Sequence, residues 1–244
     1  MFRFIVALIW TIIFLIVSIP IILVLFIIGF FAPEFRANVS QAIICFAFRV
    51  LKLIAGTNLL VLGRENIPAD EPVLFTPNHR SIFDIILTYP LCKRQTAYIA
   101  KKETKRIPVF SIWMAFMNCQ FLDRKDLRQG LKVVCKAADL IKCGKNVCIF
   151  PEGTRNKGSE ELLDFHDGSF KIAEKAGCKV VPIAINNSEA IFEKQFPKIR
   201  KATVVIEYLP PVDPASFDRK EKRKIVTTAR EEIIDAYRHN LKMI

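Results

Sequence analysis

Residues 72–84 read PVLFTPNHRSIFD, a strand–turn–helix pattern that carries the candidate chemistry of the chain. The apolar run up to Thr76 predicts a strand, the next three residues predict a turn, and a helix is expected to begin near Ser81. His79 then lies at a strand end, and Asp84 lies in the first turn of the helix. A carboxylate at that position can bond one imidazole nitrogen and leave the other free to accept a proton, which is the acid–base half of a hydrolase triad.

The same residues also have a purely structural interpretation. Ser81-x-x-Asp84 is a capping-box pattern, and an acidic residue in the first turn of a helix is favoured by the helix dipole. The capping role and the catalytic role can coexist. The other two histidines, His166 and His239, have no acidic residue five positions later, so His79 is the candidate base.

From about residue 58 onward, short β-type runs alternate with helical segments, which predicts a layered α/β domain. Several of the runs are apolar throughout, as is typical of strands covered on both faces. Helices are expected at residues 127–143, 169–176 and 217–241, the first two being ended by glycine. Strands are expected at residues 59–62, 73–76, 97–100, 119–122, 147–150, 180–185 and 203–208.

The beginning of the chain differs in character, because residues 4–31 contain no charged side chain and are apolar almost throughout. Roughly 20 apolar residues in a helix cross the hydrocarbon core of a bilayer, and this run is longer. Pro20 lies near its middle and favours a kink, so we expect either one tilted span or a short hairpin that dips into one leaflet. Membrane attachment is the expectation, and a cleaved signal peptide or a buried core helix is the alternative.

A second apolar segment follows at residues 39–55, interrupted by Gln41, Arg49 and Lys52. It is expected to be either a helix lying in the membrane interface or a core helix of the following domain. The expected organisation is a membrane-anchoring region at residues 1–57 and a catalytic domain at residues 58–244. Basic residues are plentiful after the apolar span, so we expect the catalytic domain on the cytoplasmic face of a membrane.

The chain carries 36 Lys and Arg against 24 Asp and Glu, a formal charge of +12 that suits an anionic partner. We find no recognisable nucleic-acid-binding module and no basic stripe with interleaved aromatic residues, so anionic membrane lipids are the expected partner and nucleic acid is not. The seven cysteines form an odd set without a Cys-x-x-Cys pair, and there are only three histidines. Neither a disulfide framework nor a metal site is expected.

A second candidate motif, PEGTR at residues 151–155, follows another expected strand. Gly153 lets backbone N–H groups approach a ligand, the planar guanidinium of Arg155 suits a phosphate, and Glu152 can bond a hydroxyl group. The structural alternative is a turn with a surface ion pair.

Two further motifs lie at the ends or in the middle of expected strands. FLDR at residues 121–124 places Arg124 where it can add a second phosphate contact, with a solvated Asp-Arg pair as the structural alternative. VVPI at residues 180–183 is expected to be core and one wall of an acyl pocket.

In this order the motifs resemble the four blocks of the glycerolipid acyltransferases: NHxSxxD at residues 78–84, FLDR, FPEGTR at residues 150–155, and VVPI. The resemblance covers roughly residues 58–210. It implies a mixed β-sheet flanked by helices. It also implies transfer of a fatty acyl group from acyl-CoA or acyl carrier protein to the sn-2 hydroxyl of 1-acyl-glycerol 3-phosphate (lysophosphatidic acid), which makes phosphatidic acid.

The resemblance also implies roles for individual residues. His79 is the general base and Asp84 orients it; direct attack by the acceptor hydroxyl is preferred over an acyl-enzyme on Ser81. A thioester is already activated, so no cofactor is expected. The residues implied in substrate binding are Arg124, Glu152, Gly153, Thr154 and Arg155, and those in support of the base are Asn78 and Ser81.

Two other functions remain open at this point. One is a related acyltransferase that accepts glycerol 3-phosphate or another lysophospholipid, and the other is a catalytically inactive membrane-binding scaffold. A lipid hydrolase is disfavoured because the sequence has no Gly-x-Ser-x-Gly nucleophile elbow.

Overall fold

The computed structural model describes residues 1–158, 161–218 and 224–244. The strands are β1 (Asn58–Leu62), β2 (Leu74–Pro77), β3 (Thr96–Lys101), β4 (Gln120–Leu122), β5 (Asn146–Cys148), β6 (Val180–Asn186) and β7 (Thr203–Tyr208). They form one sheet in the order β1-β7-β6-β2-β5-β3-β4, in which β6 and β7 are antiparallel and the other neighbouring strands are parallel. The expected mixed sheet is confirmed.

The helices cover both faces of this sheet. They are α1 (Phe2–Phe31), α2 (Pro33–Ala55), α3 (Phe83–Thr88), α4 (Phe110–Phe116), α5 (Leu127–Lys142), α6 (Asp167–Ala176) and α7 (Lys224–Asn240). Successive side chains of a strand point to opposite faces, so β6 sends Val181, Ile183 and Ile185 into one apolar cluster and Val180 and Ala184 into the other. The first cluster is completed by α1–α4 and the second by α5–α7.

The apolar beginning of the chain forms two antiparallel helices. α1 is continuous through Pro20, so the hairpin considered within residues 4–31 is not formed. Trp113 of α4 donates a 3.1 Å hydrogen bond to the Ser18 hydroxyl, which ties the middle of α1 to the rest of the protein. The chain turns at Ala32, and the Arg3 guanidinium reaches the Ala55 carbonyl at the far end of α2.

The second apolar segment packs one side against the domain and leaves Phe46 and Leu53 exposed on the other. α2 begins at Pro33, six residues before the expected start, because proline is favoured in the first turn of a helix. Its Gln41 accepts a 3.0 Å hydrogen bond from the Thr96 N–H at the start of β3. Both α1 and α2 are long and apolar enough to cross a membrane, with mean hydropathies of 3.3 and 1.5. These two helices indicate that the protein associates with a membrane.

The expected strands are confirmed to within two residues at each end, but the start of the last helix is wrong. Asp213 accepts a hydrogen bond from Ala215 N–H, which caps a single 3₁₀ turn at Pro214–Ser216. Phe217 then adopts an extended conformation. Residues 219–223 of the expected helix lie outside the described residues, and α7 is described from Lys224.

The direction of the strands determines where the motifs meet. β6, β2, β5, β3 and β4 run parallel to one another, so their carboxyl ends lie along one edge of the sheet. In such sheets, ligands bind at this edge. The residues that follow these strands there are His79 after β2, Arg124 after β4, Glu152 after β5 and Ser188 after β6.

Candidate active site

The His79 imidazole and the Asp84 carboxylate are in direct contact, with 2.8 Å between Nδ1 and Oδ2. The same Oδ2 accepts hydrogen bonds from the backbone N–H groups of Arg80 and Ser81, at 2.7 and 2.9 Å. This oxygen is therefore an acceptor, and Nδ1 carries the proton of the shared hydrogen bond. Nε2 of His79 is left as the basic nitrogen.

Asp84 is fully buried and is held at both oxygens. The Ser188 hydroxyl, which lies just beyond β6, donates to Asp84 Oδ1. A buried carboxylate is stable only when it is well hydrogen-bonded, and these donors meet that need. The Ser81 hydroxyl accepts a 3.0 Å hydrogen bond from Phe83 N–H, so the capping role of this motif is present together with the His79–Asp84 contact.

The backbone of His79 is clamped by the loop after β5. Its N–H donates to Glu152 Oε1 at 2.6 Å, and its carbonyl oxygen accepts from Asn156 N–H at 2.7 Å. The imidazole stacks on the Phe150 ring with 4.0 Å between ring centroids. The side chain of His79 remains 15% exposed, so the ring is held on several sides and still reaches the surface of the site.

Glu152 is buried, and both of its carboxylate oxygens bind backbone N–H groups. Oε1 accepts from His79 and Oε2 accepts from Leu163 at 2.8 Å. Burial raises the pKa of this carboxyl above its ordinary value, against the lowering effect of the two N–H donors. Glu152 therefore holds the chain around His79, and the substrate contact that its motif implied stays a prediction.

Asn78 joins β2 to β6 beside the site. Its amide oxygen accepts from Ile185 N–H at 2.7 Å, and its amide nitrogen donates to the Ile185 carbonyl at 3.0 Å. The side chain is 1% exposed, and its two hydrogen bonds replace the backbone hydrogen bonds between β2 and β6 where these strands end. Asn78 fixes the strand end from which His79 projects.

Arg124 and Gly153 lie close together. Gly153 has φ +69°, and a Cβ atom added to it would stand 3.5 Å from Arg124 Cζ and 3.0 Å from the His166 ring. The FLDR loop is fixed by Gln129, whose side chain bonds Asp123 N–H and the Phe121 carbonyl. The two motifs thus share one surface, with the His166 ring beside it.

Arg155 lies on the same loop, between the residues that clamp His79, and its guanidinium contacts Glu193. Arg155 Nη1 is 3.2 Å from Glu193 Oε1. Glu193 also accepts from the Ser81 hydroxyl at 2.5 Å and from Ile82 N–H at 2.8 Å. Thr154 is exposed, and within the described part of the chain its hydroxyl has no hydrogen-bond partner.

Several residues at the site were not found from the sequence. The sequence disfavours His166 as a base because no acidic residue lies five positions later, and it identifies Phe150 only as part of the FPEGTR motif. Ser188 and Glu193 follow β6, more than 100 positions after Asp84 and Ser81, to which they are hydrogen-bonded. The sequence offers one general indication of such residues. Polar residues that follow a strand parallel to β2 are expected near His79.

Fold and site together are those of an α/β enzyme in which an imidazole at the end of a parallel strand can accept a proton from a hydroxyl group. A family model described as Acyltransferase matches residues 58–186, which contain β1–β6 and the four motifs. The match covers more than half of the 244 residues, and the chain belongs to this acyltransferase family. The resemblance inferred from the motifs is confirmed.

Individual proteins support this assignment. A 1-acyl-sn-glycerol-3-phosphate acyltransferase of Helicobacter pylori is 33% identical over 162 residues, 65% of this chain and 67% of that protein. The enzyme of that name from Saccharomyces cerevisiae is 26% identical over 193 residues, 78% of this chain. The chain spans 63% of the length of the yeast protein.

A solved structure has the same fold. The 1-acyl-sn-glycerophosphate (LPA) acyltransferase PlsC from Thermotoga maritima matches with a TM-score of 0.72 and 23% identity, over 97% of this chain and 98% of that one. The match includes the two apolar helices as well as the sheet. At this identity the comparison establishes the fold.

Proposed function

We propose that this protein transfers a fatty acyl group from a thioester donor, acyl-CoA or acyl carrier protein, to the sn-2 hydroxyl of 1-acyl-glycerol 3-phosphate, and so makes phosphatidic acid. The observation that carries the proposal is the buried Asp84 carboxylate on Nδ1 of a partly exposed His79. The relatives from Helicobacter pylori and Saccharomyces cerevisiae carry the name of this activity.

In the proposed reaction, Nε2 of His79 takes the proton of the acceptor hydroxyl as its oxygen attacks the thioester carbonyl. The new C–O bond forms, the C–S bond breaks, and the imidazolium returns the proton to the leaving thiolate. Asp84 holds the ring in the required tautomer and stabilises the imidazolium. A general base of this kind contributes on the order of 10²–10⁴ in rate.

The phosphate of the acceptor is assigned to the basic residues of the shared surface. Arg155 and Arg124 supply guanidinium donors, and Gly153 has no side chain to keep a ligand from the backbone. When the phosphate is held, the acceptor hydroxyl is fixed relative to His79. The reaction then proceeds from an oriented complex and not from a random encounter. Glu152, Asn78 and Ser81 are assigned to positioning, and Thr154 to the rim of the site.

The membrane arrangement is also a proposal. The two apolar helices are suited to keep the site at the bilayer surface, where both acyl chains reside. With a formal charge of +12, the protein suits anionic lipids, and the abundance of basic residues after α2 favours a cytoplasmic position for residues 58–244.

The decisive test is acyl transfer from labelled acyl-CoA, and from acyl carrier protein, to a panel of acceptors. Wild type should acylate 1-acyl-glycerol 3-phosphate, His79→Ala should lose turnover by roughly 10²–10⁴, and Arg155→Ala should mainly raise the KM for the acceptor. Turnover with a different acceptor alone would replace the proposed substrate. Equal activity of the three proteins would refute the assigned site.

A further inference from the structure

Glu193 joins three parts of the site through one carboxylate. It lies in a 3₁₀ turn, Glu193–Gln195, in the connection between β6 and β7. Its oxygens accept from the Ser81 hydroxyl and the Ile82 N–H at the start of α3, and they face the Arg155 guanidinium. The carboxylate is therefore bound to the helix that carries Asp84 and also to the arginine assigned to the phosphate.

The contacts of this carboxylate are unequal. Those to the Ser81 hydroxyl and to Ile82 N–H are 2.5 and 2.8 Å, whereas the one to Arg155 is 3.2 Å and involves a single nitrogen. Charge-assisted N–H···O bonds are usually about 2.7–2.9 Å. Arg155 can thus leave Glu193 while Glu193 keeps its place at the helix start.

Glu189, the other acidic residue of this connection, forms ion pairs with residues other than Arg155. Glu189 Oε1 lies 3.3 Å from Arg80 Nε and 3.1 Å from Lys194 Nζ. The segment is further fixed by Phe192, whose ring stacks on Phe4 of α1 with 5.8 Å between centroids. Glu193 is therefore the carboxylate presented to Arg155 by this connection.

We propose that Glu193 competes with the phosphate of the acceptor for Arg155 and thereby sets the affinity for that substrate. The proposal rests on the proposed function. A phosphate monoester carries more negative charge than a carboxylate and offers three acceptor oxygens, so it can displace the single-nitrogen contact and engage the guanidinium fork. The carboxylate weakens acceptor binding by the free energy of the contact that must be broken.

Glu193→Gln tests the proposal with little change in shape. The glutamine oxygen can accept from Ile82 N–H, its amide can donate to the Ser81 hydroxyl, and the negative charge that faces the Arg155 guanidinium is removed. The KM for 1-acyl-glycerol 3-phosphate should fall about three- to fivefold, as for a partly exposed ion pair, with kcat changed less than twofold. Glu71→Gln is the control, because this substitution removes the same charge from the protein at a distant place. Glu71 pairs with Lys179 near the opposite edge of the sheet.

A double-mutant cycle separates competition from a general charge effect. In an Arg155→Ala background, Glu193→Gln should leave kcat/KM unchanged, because the contact is already absent. A fall in KM that persists in that background, or a KM that is unchanged or raised in Glu193→Gln alone, overturns the proposal. Thermal unfolding of each variant checks that the fold as a whole is not destabilised.

A binding measurement keeps this proposal distinct from the proposed function. The Kd for glycerol 3-phosphate, measured by calorimetry in detergent, should fall in Glu193→Gln by the same factor as the KM. If wild type fails to acylate 1-acyl-glycerol 3-phosphate, the proposed function fails, and the Kd comparison still decides the role of Glu193. Equal Kd values, or no binding to either protein, contradict competition for Arg155.

Discussion

The imidazole of His79 lies against the phenyl ring of Phe150, with 4.0 Å between centroids and 27° between the ring planes. Phe150 follows β5, the strand next to β2 in the sheet, so neighbouring parallel strands supply the base and the surface on which it rests. The Asp84 contact fixes Nδ1, and the Phe150 contact fixes the tilt of the ring. The direction of Nε2 follows from both.

Phe150→Leu should therefore lower kcat about three- to tenfold with little change in KM, because an aromatic pair is worth about 0.5–1.5 kcal/mol beyond its buried area. Steady-state kinetics at saturating acceptor measure this. Phe165→Leu is the matched control, since Phe165 is equally buried, at 8% exposure, and stacks on Phe170 in the other apolar cluster. An equal loss of kcat in both variants would show that the effect is one of general packing.

Asp84→Asn should lower kcat by roughly 10²–10⁴, because a carboxamide does not hold the His79 ring in the tautomer that leaves Nε2 basic. Ser188→Ala removes one donor from the same carboxylate and should cost only about two- to tenfold, as for one net hydrogen bond. Both are measured as kcat with the acceptor in excess. Retention of more than a tenth of wild-type kcat by Asp84→Asn would mean that His79 does not act through Asp84.

Gly153→Ala should raise the KM for the acceptor several-fold, because the new Cβ would push on the His166 ring at 3.0 Å beside Arg124. Gly144→Ala separates this effect from backbone strain. Gly144 also has a positive φ, +84°, but an added Cβ there meets nothing within 4 Å. Both variants should lose about 1–2 kcal/mol of stability. A similar rise in KM for Gly144→Ala would remove the steric explanation.

The pH dependence of stability should reveal the buried Glu152. Its pKa is raised by burial above an ordinary value of 4.5, so the native state binds more protons there than the unfolded chain. Its contribution to the free energy of unfolding is therefore largest below that pH and is lost as the pH rises through the raised pKa. Unfolding midpoints in detergent should show the difference between wild type and Glu152→Gln falling from about pH 4 to about pH 8.

Glu161 provides a control of opposite sign. The Arg238 guanidinium lowers the pKa of this carboxyl, so its contribution is present above pH 4.5 and is lost as the pH falls through the lowered pKa. The difference between wild type and Glu161→Gln should rise with pH only up to about pH 4.5 and stay level from there to about pH 8. A Glu152 difference that also rises with pH would contradict the effect of burial.

The strands and the meeting of the motifs followed from the sequence for a simple reason. Apolar runs such as residues 180–185 are buried on both faces, and parallel strands bring the residues after their ends to one edge. The contact between Asp84 and His79 could also be predicted. The two residues are only five positions apart, across a turn and the first turn of a helix, so their relative position varies little.

Contacts between distant segments were not accessible in this way. Nothing in the composition of the connection after β6 distinguishes Ser188 or Glu193 from other surface residues, and their contacts depend on how that connection folds back over α3. The orientation of Glu152 depends on the loop that brings Leu163 to it. The last helix was expected correctly as α7 but its start at residue 217 was wrong, because Phe217 is extended after the turn that Asp213 caps.

The contact between Arg3 and the Ala55 carbonyl has a topological consequence. This contact places Met1 and the chain after Ala55 at the same end of the helical pair, and we therefore predict that both face the same aqueous compartment. An epitope tag fused ahead of Met1 and another placed after Ile244 should be digested together in sealed vesicles of one orientation and protected together in those of the other.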